Sequence, residues 1–160
     1  MCGKPLILPA LLFVPLLANA AGDAPIDRAT LRGLKAVHVV LDPLSPELEK
    51  AGLTQTDLQT RLEERLRKDD VPIDPASSEF LGLRMTAVRG NRGPFAVSFS
   101  LGAYQPVQLV RDKNVRSATA TWEIETVVMS DPKTLLQAAY ESMEELADRF
   151  AAAWKSVNGQ

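Results

Sequence analysis

The sequence predicts an α+β two-layer sandwich with elements in the order β-α-β-β-β-α. It is a four-stranded, mostly antiparallel sheet with two helices on one face and an extended hairpin between the third and fourth strands. Three observations predict it. Segments between Phe80 and Val128 alternate apolar and polar residues with period two, the pattern of a sheet with one wet face. Two segments, opening at Thr54 and Asp131, carry apolar residues at helical spacing. The 160 residues hold one cysteine and one histidine at a net charge of −2. That excludes a disulfide framework and a multi-histidine or multi-cysteine metal site, and it provides no basic excess for nucleic acid.

Three stretches organise the chain: 1–20, 21–33 and 34–158. The first reads MCGKPLILPALLFVPLLANA, with Lys4 as a short positive region, Leu6 to Leu17 as an apolar run, and Ala18-Asn19-Ala20 as a small-x-small cleavage site. This is the pattern of a secretory signal peptide. The run is shorter than the roughly 20 residues a membrane span needs, and Pro5, Pro9 and Pro15 break it. Cleavage after Ala20 is expected, with no transmembrane segment afterwards and a periplasmic or secreted location. Cys2 lies before the apolar run, so lipidation at the cleavage point is not expected. The mature chain would then have no cysteine, 17 basic against 20 acidic residues, and an apolar fraction of about 43%, within the globular range.

Residues 21–33 read as a polar lead-in, and residues 34–158 as a single domain. Leu34 to Leu41 is β-branched and reads as the first strand, with Val37, Val39 and Leu41 on one face and His38 on the other. Ser45-Pro46 predicts a helical turn to Lys50, with serine as cap and proline at the first position. Thr54 caps a longer helix whose stripe is Leu58, Leu62 and Leu66. It stops near Asp69-Asp70, because the residue before Pro72 favours extended backbone.

Three strands follow. The expected inward sets are Leu81, Leu83, Met85 and Ala87, then Phe95, Val97, Phe99 and Leu101, then Ala118, Ala120, Trp122, Ile124 and Val128. A three-residue loop within Gly90-Asn91-Arg92-Gly93 would pair Ala87 with Phe95 and Leu83 with Phe99. A turn at Asp112 to Val115 would pair Arg111 with Arg116, Val107 with Ala120 and Ala103 with Ile124. Gln105 would then face Trp122, so a bulge is expected near Pro106. Asp131-Pro132 is expected to open the last helix, with Leu135, Leu136, Ala139, Met143, Leu146, Phe150, Ala153, Trp154 and Val157 on one side and Asn158-Gly159 as its end.

No constellation in the chain calls for catalysis. His38 lies on the open sheet face with no G-x-S-x-G elbow elsewhere, and Gly90-Asn91-Arg92-Gly93 joins strand to strand, so it cradles no phosphate. Neighbouring acidic pairs such as Glu63-Glu64 diverge by about 100° on a helix and do not converge on a metal. No enzyme activity, metal or cofactor is expected. Two surfaces remain. The first is a polar sheet face carrying Arg84, Thr119, Thr121, Glu123 and Glu125. The second is the distal hairpin, a docking arm carrying Tyr104, Pro106, Val107, Leu109 and Val110, which runs past the end of the second strand near Phe80. Basic residues Arg89, Arg92, Arg111, Lys113 and Arg116 mark the two hairpin tips.

The expected role is that of an exported, non-enzymatic envelope protein acting through protein–protein interaction, with an envelope protein or a second copy as partner. The alternative is a carrier or sensor of a small apolar or amphiphilic ligand held between helices and sheet around Phe99, Trp122, Phe150 and Trp154. The element order is similar to that of small two-layer envelope domains, such as the lipopolysaccharide-assembly lipoprotein of the outer membrane and the accessory lipoproteins of ABC transporters. The likeness rests on element order alone. The chain departs from those lipoproteins in having no cysteine at the cleavage point, and no residue role follows from the likeness.

Overall fold

A computed structural model describes residues 22–90 and 93–159; the expected signal segment lies outside them. The elements are α1 (Pro25–Ala29), β1 (His38–Leu41), α2 (Pro46–Lys50), α3 (Gln55–Lys68), β2 (Phe80–Arg89), β3 (Phe95–Leu109), β4 (Asp112–Ser130) and α4 (Leu135–Asn158). The strands form one sheet in the order β1-β2-β3-β4, with β1 parallel to β2 and the other pairs antiparallel. α3 and α4 pack on each other and on one face of the sheet. This is the expected two-layer sandwich, with α1 as an addition.

The stripes meet where the patterns placed them. Leu58, Leu62 and Leu66 of α3 are buried with Ala139, Met143, Leu146, Phe150 and Trp154 of α4, against Leu81, Leu83, Phe99, Leu101, Trp122 and Ile124 of the sheet. Arg65 of α3 donates twice to the Asp148 carboxylate of α4, at 2.5 and 2.7 Å, which sets the helix pair in register. Leu136 departs from its expected side and is 38% exposed.

The two short caps behave differently. Thr54 Oγ1 accepts a hydrogen bond from the Asp57 amide at 3.1 Å. Ser45 caps α2 by backbone only, and its buried hydroxyl has no partner among the described residues. Thr54→Ala is therefore expected to cost about 1 kcal/mol in urea unfolding, while Ser45→Ala should cost close to nothing, because no helix amide loses a partner. Equal losses at the two positions would contradict this.

Several expectations are refined or corrected. The polar lead-in holds a short helix that the sequence reading does not place: Pro25 and Asp27 open α1, and Leu31 behind it is fully buried. The first strand is shorter than Leu34–Leu41, because β2 begins opposite His38. Ahead of it Val37 makes only a bridge to Ile73, and the Leu34 carbonyl turns inward to accept the Trp154 indole N–H at 2.9 Å. The β2–β3 pairing sits two residues from the expected register, with Ala87 opposite Val97 and Leu83 opposite Leu101. A two-residue slide leaves every side chain on its own face, so the hydrophobic pattern does not detect it. Finally, α4 starts at Leu135. Asp131-Pro132 makes a turn in which the Thr134 amide donates to the Asp131 carbonyl at 3.0 Å. The helix then runs 24 residues, about 36 Å, to Gly159 at φ 74°.

The β3–β4 pair differs most. Leu101 faces Ile124, Ala103 faces Trp122, and Tyr104 faces Ala120, so Thr121 is an extra residue in β4. Two irregularities flank Pro106, at the Ala103–Tyr104 and Gln108–Leu109 steps. One extra residue reverses the alternation beyond it. Ala118 and Ala120 therefore leave the inner face, and Thr119 comes round to the helix side opposite Gln105. The shift removes the clash of type that the sequence register carried: Trp122 now packs inward opposite Ala103. Gln105 is freed to donate to the Thr30 carbonyl at 3.0 Å and to Thr121 Oγ1 at 2.7 Å. The turn itself is Val110-Arg111, between the paired Leu109 and Asp112.

Candidate interaction site

The β2 strand begins at Phe80, opposite Tyr104. Beyond that row β3 and β4 pair only with each other, over Gln105–Leu109 and Asp112–Thr119. At about 3.3 Å per residue, this ribbon projects some 17 Å past the end of β2. β1 lies at the far edge of the sheet, so it does not cover the ribbon. Support comes at the base, where Gln105 meets Thr30 and Thr30 Oγ1 donates to the Thr121 carbonyl at 3.1 Å.

The five residues expected on this arm separate. Val107 and Leu109 are half-buried and share the helix side of the ribbon; Pro106 is exposed on the other side, and Val110 is 97% exposed at the turn. Tyr104 does not belong to the arm. Its ring stacks on Phe80, with centroids 4.8 Å apart and planes 2° from parallel. It lies over Gly82 and Gly102, where an added Cβ would come within 3.0 and 3.1 Å of it. Those glycines leave the floor on which the ring rests. Arg111, Lys113 and Arg116 are all exposed around the tip.

The two sheet edges are treated differently. At the β1 edge, Gln59 and Gln55 of α3, one turn apart, donate side-chain amides to the carbonyls of Val39, Leu41 and Asp42 at 3.2 to 3.5 Å. This occupies groups that would otherwise template a further strand. At the β4 edge the covering is local. Gly22, at φ 89°, approaches so closely that a Cβ there would lie 1.8 Å from the Glu123 carbonyl oxygen.

The outer sheet face is built in rows across β2, β3 and β4. The middle row is Arg84, Ser100, Glu125, and the last is Val88, Ala96, Met129. Arg84 donates to Asp42 at 2.7 Å, and that bond raises its guanidinium pKa further above the ordinary value. Ser100 donates to Glu123 at 2.5 Å. The expected network among Arg84, Glu123 and Glu125 is thus divided: Arg84 takes Asp42, Glu123 takes Ser100, and Glu125 stays exposed. Thr121 sits in the bulge and Thr119 is on the other face. A cavity of about 190 Å3 lies beside Gly82, lined by Val40, Asp42, Arg84, Ser100 and Tyr104 among others. His38 is half-buried beside Phe80 on this face.

The sequence reading missed that one end of this face is apolar. Val88, Val127 and Met129 are 64 to 66% exposed. Placing Val128 inward already turns Val127 and Met129 outward, and the pairing of Val128 with the buried Val97 bears out that phase.

Between the layers, Phe99, Trp122, Phe150 and Trp154 are all buried. Trp122 meets Phe150 edge-on at 5.3 Å, and its indole N–H donates to Asp23 at 2.9 Å. Asp23 also accepts two bonds from Arg28, at 2.7 and 2.8 Å. Burial by itself would raise the Asp23 carboxyl. The bonds from Arg28 and Trp122 and the nearby charges of Arg28 and Arg149 outweigh it and hold the pKa below the ordinary aspartate value. With all four side chains buried, both indoles hydrogen-bonded and Trp122 against Phe150, these aromatics belong to the core, which counts against a ligand held among them.

The fold and surfaces define an α+β sandwich whose third and fourth strands extend past the second as a two-stranded β-ribbon. No family model matches the chain, and no curated protein matches it. Among solved structures it is similar to a PelC dodecamer from Paraburkholderia phytofirmans, at 15% identity and a TM-score of 0.42, over 79% of this chain and 88% of that one. It is also similar to a minor lipoprotein from Acinetobacter baumannii, at 12% identity and a TM-score of 0.27, over 72% and 89%. At these scores neither likeness carries an argument about the role of this chain. Among the described residues, no helix is long and apolar enough to cross a membrane.

Proposed function

We propose that this is an exported protein of the cell envelope, without catalytic activity, that acts by binding another protein through the β3–β4 ribbon. The observation that carries the reading is the contrast between the edges. The β1 edge is closed by two glutamines of α3, while the ribbon runs past the last β2 pair with no third strand on it. Two-stranded ribbons are marginal in water by themselves, and a partner strand or apolar surface would complete this one. The signal-like residues 1–20 support export.

The test is cross-linking in cells followed by purification of the protein with whatever it carries. Leu109→Asp and Val107→Asp alter half-buried side chains outside the core cluster, so each should cost about 1 kcal/mol and leave the protein folded. Both should lose the cross-linked partner. If both variants keep the same cross-linked proteins and the same oligomeric state as the unaltered chain, the ribbon is not a docking surface. N-terminal sequencing of the recovered protein should begin at Ala21; recovery with Met1 retained would remove the support from export.

A further inference from the structure

We infer that the outer sheet face is an isologous dimer interface, with a second copy of this chain as its occupant. The inference concerns a surface separate from the ribbon, so either can fail without the other. It rests on the order of side chains within the rows. A twofold axis running along β3, in the plane between two facing sheets, would lay β2 of one copy over β4 of the other at the same height. The row Arg84, Ser100, Glu125 then meets itself reversed: each Arg84 lies over Glu125 of the second copy, and Ser100 over Ser100. The row Val88, Ala96, Met129 does the same, placing Val88 over Met129 and Ala96 over Ala96. Thr86 meets Val127. Opposite charges face each other and apolar groups face each other under one operation, as a twofold interface requires.

Three further observations agree. Val88, Val127 and Met129 are each about two-thirds exposed and contiguous on this face, an arrangement a second apolar row would cover. Glu125 is exposed and has no ion-pair partner among the described residues. Arg84 meets Asp42 through its Nε, on the β1 side, which leaves its Nη groups for a second carboxylate. Facing sheets pack with their strands nearly aligned, about 10 Å apart, which the proposed axis provides. The area sets the strength. The axis along β3 overlaps three strands and leaves β1 outside; three strands about 4.8 Å apart and nine residues at about 3.3 Å make a face of roughly 430 Å2, well below the ~800 Å2 per partner of a standard stable interface. The dimer is therefore a weak one, dissociating in the micromolar range or above.

Sedimentation of the purified protein over rising concentration, to about 1 mM, reads this directly. The unaltered protein should pass from monomer to dimer. Glu125→Arg sets arginine over Arg84, and Arg84→Glu sets glutamate over Glu125; each alone should weaken the dimer by about tenfold or more. An equimolar mixture of the two variants restores both opposed pairs in the mixed dimer and should recover association. A structural role of either residue within its own chain would not be rescued by mixing. Met129→Asp should abolish the dimer in every background. The inference is overturned if the unaltered protein stays monomeric throughout. It is equally overturned if it dimerises and the two charge variants leave the dissociation constant unchanged, or if mixing them restores nothing. Dimerisation that Leu109→Asp destroys and Glu125→Arg does not would place the interface on the ribbon instead.

Discussion

Trp122→Ala is expected to cost about 3–5 kcal/mol of folding stability, the range for removing a large buried aromatic, and to lower Tm by about 10–20 °C. The side chain is 1% exposed and meets Phe150 edge-on. It stands next to the residue at which β4 changes its alternation, and its indole holds Asp23 of the N-terminal segment. Its loss empties a site bounded by both layers, and neither can collapse far, because β3 holds one side and α4 the other. Trp122→Phe separates the two contributions. It keeps most of the ring contact but leaves the Asp23 carboxylate without the indole donor, so it should cost less than alanine. Urea unfolding of both variants checks this. A loss below about 1 kcal/mol for Trp122→Ala would be a surface value and would contradict the packing described.

Asp23→Ala is expected to cost about 1–3 kcal/mol at neutral pH, because it leaves a buried indole N–H and the Arg28 guanidinium without their acceptor. The pH dependence has a definite sign. The folded pKa of Asp23 is lowered from 3.8, so the unfolded chain binds the proton more readily. The contribution is then fully present above the unfolded value and is lost as pH falls through the folded one. The stability gap between the unaltered protein and Asp23→Ala should accordingly be constant from neutral pH down to the region of 3.8 and narrow below it. Unfolding measured at several acid pH values tests this; a gap that stays constant into strong acid would show that the carboxylate charge is not what stabilises the segment. Combining Asp23→Ala with Trp122→Phe should cost less than the sum of the two, since they remove one shared bond.

Much of the architecture was legible because it depends on period. Leu58, Leu62 and Leu66, the odd positions Leu81 to Met85, and the long stripe from Leu135 to Val157 each declare a buried face by spacing alone, and all of them are buried except Leu136, which is exposed, and Val157, which is half-buried. Caps and breakers were also legible where the side chain acts on its own neighbours, as at Thr54 and Gly159. That the third and fourth strands continue as a pair past Phe80 was legible from strand lengths, since β3 and β4 are long and β2 begins at Phe80. Tyr104 was wrongly assigned to it, because the two-residue shift in register carried Phe80 to a partner further along β3.

What failed depends on which residues sit opposite. Thr119 was read on the polar face and lies on the other, because one extra residue at Thr121 reverses the phase beyond it. Its own sequence contains nothing that marks a bulge there. The advantage lies across the strand, where Ala103 admits the Trp122 indole and Gln105 finds Thr30. The α1 segment was missed for a related reason. Its polar composition hides Leu31, and its chief anchor, Asp23 to Trp122, joins residues 99 positions apart.

The sequence by itself determined the layers: where strands and helices run, which face of each is apolar, and that the third and fourth strands outreach the second. Those follow from local periodicity, which each segment carries whatever its neighbours do. The tertiary structure alone decided the registers, the bulge, the closure of the β1 edge by α3, and the rows of the outer face in which Arg84 stands across from Glu125 and Val88 from Met129. A slide of two residues costs the hydrophobic pattern nothing. Only cross-strand contacts between distant residues distinguish one register from the next, and those contacts create the surface proposed to bind a second copy.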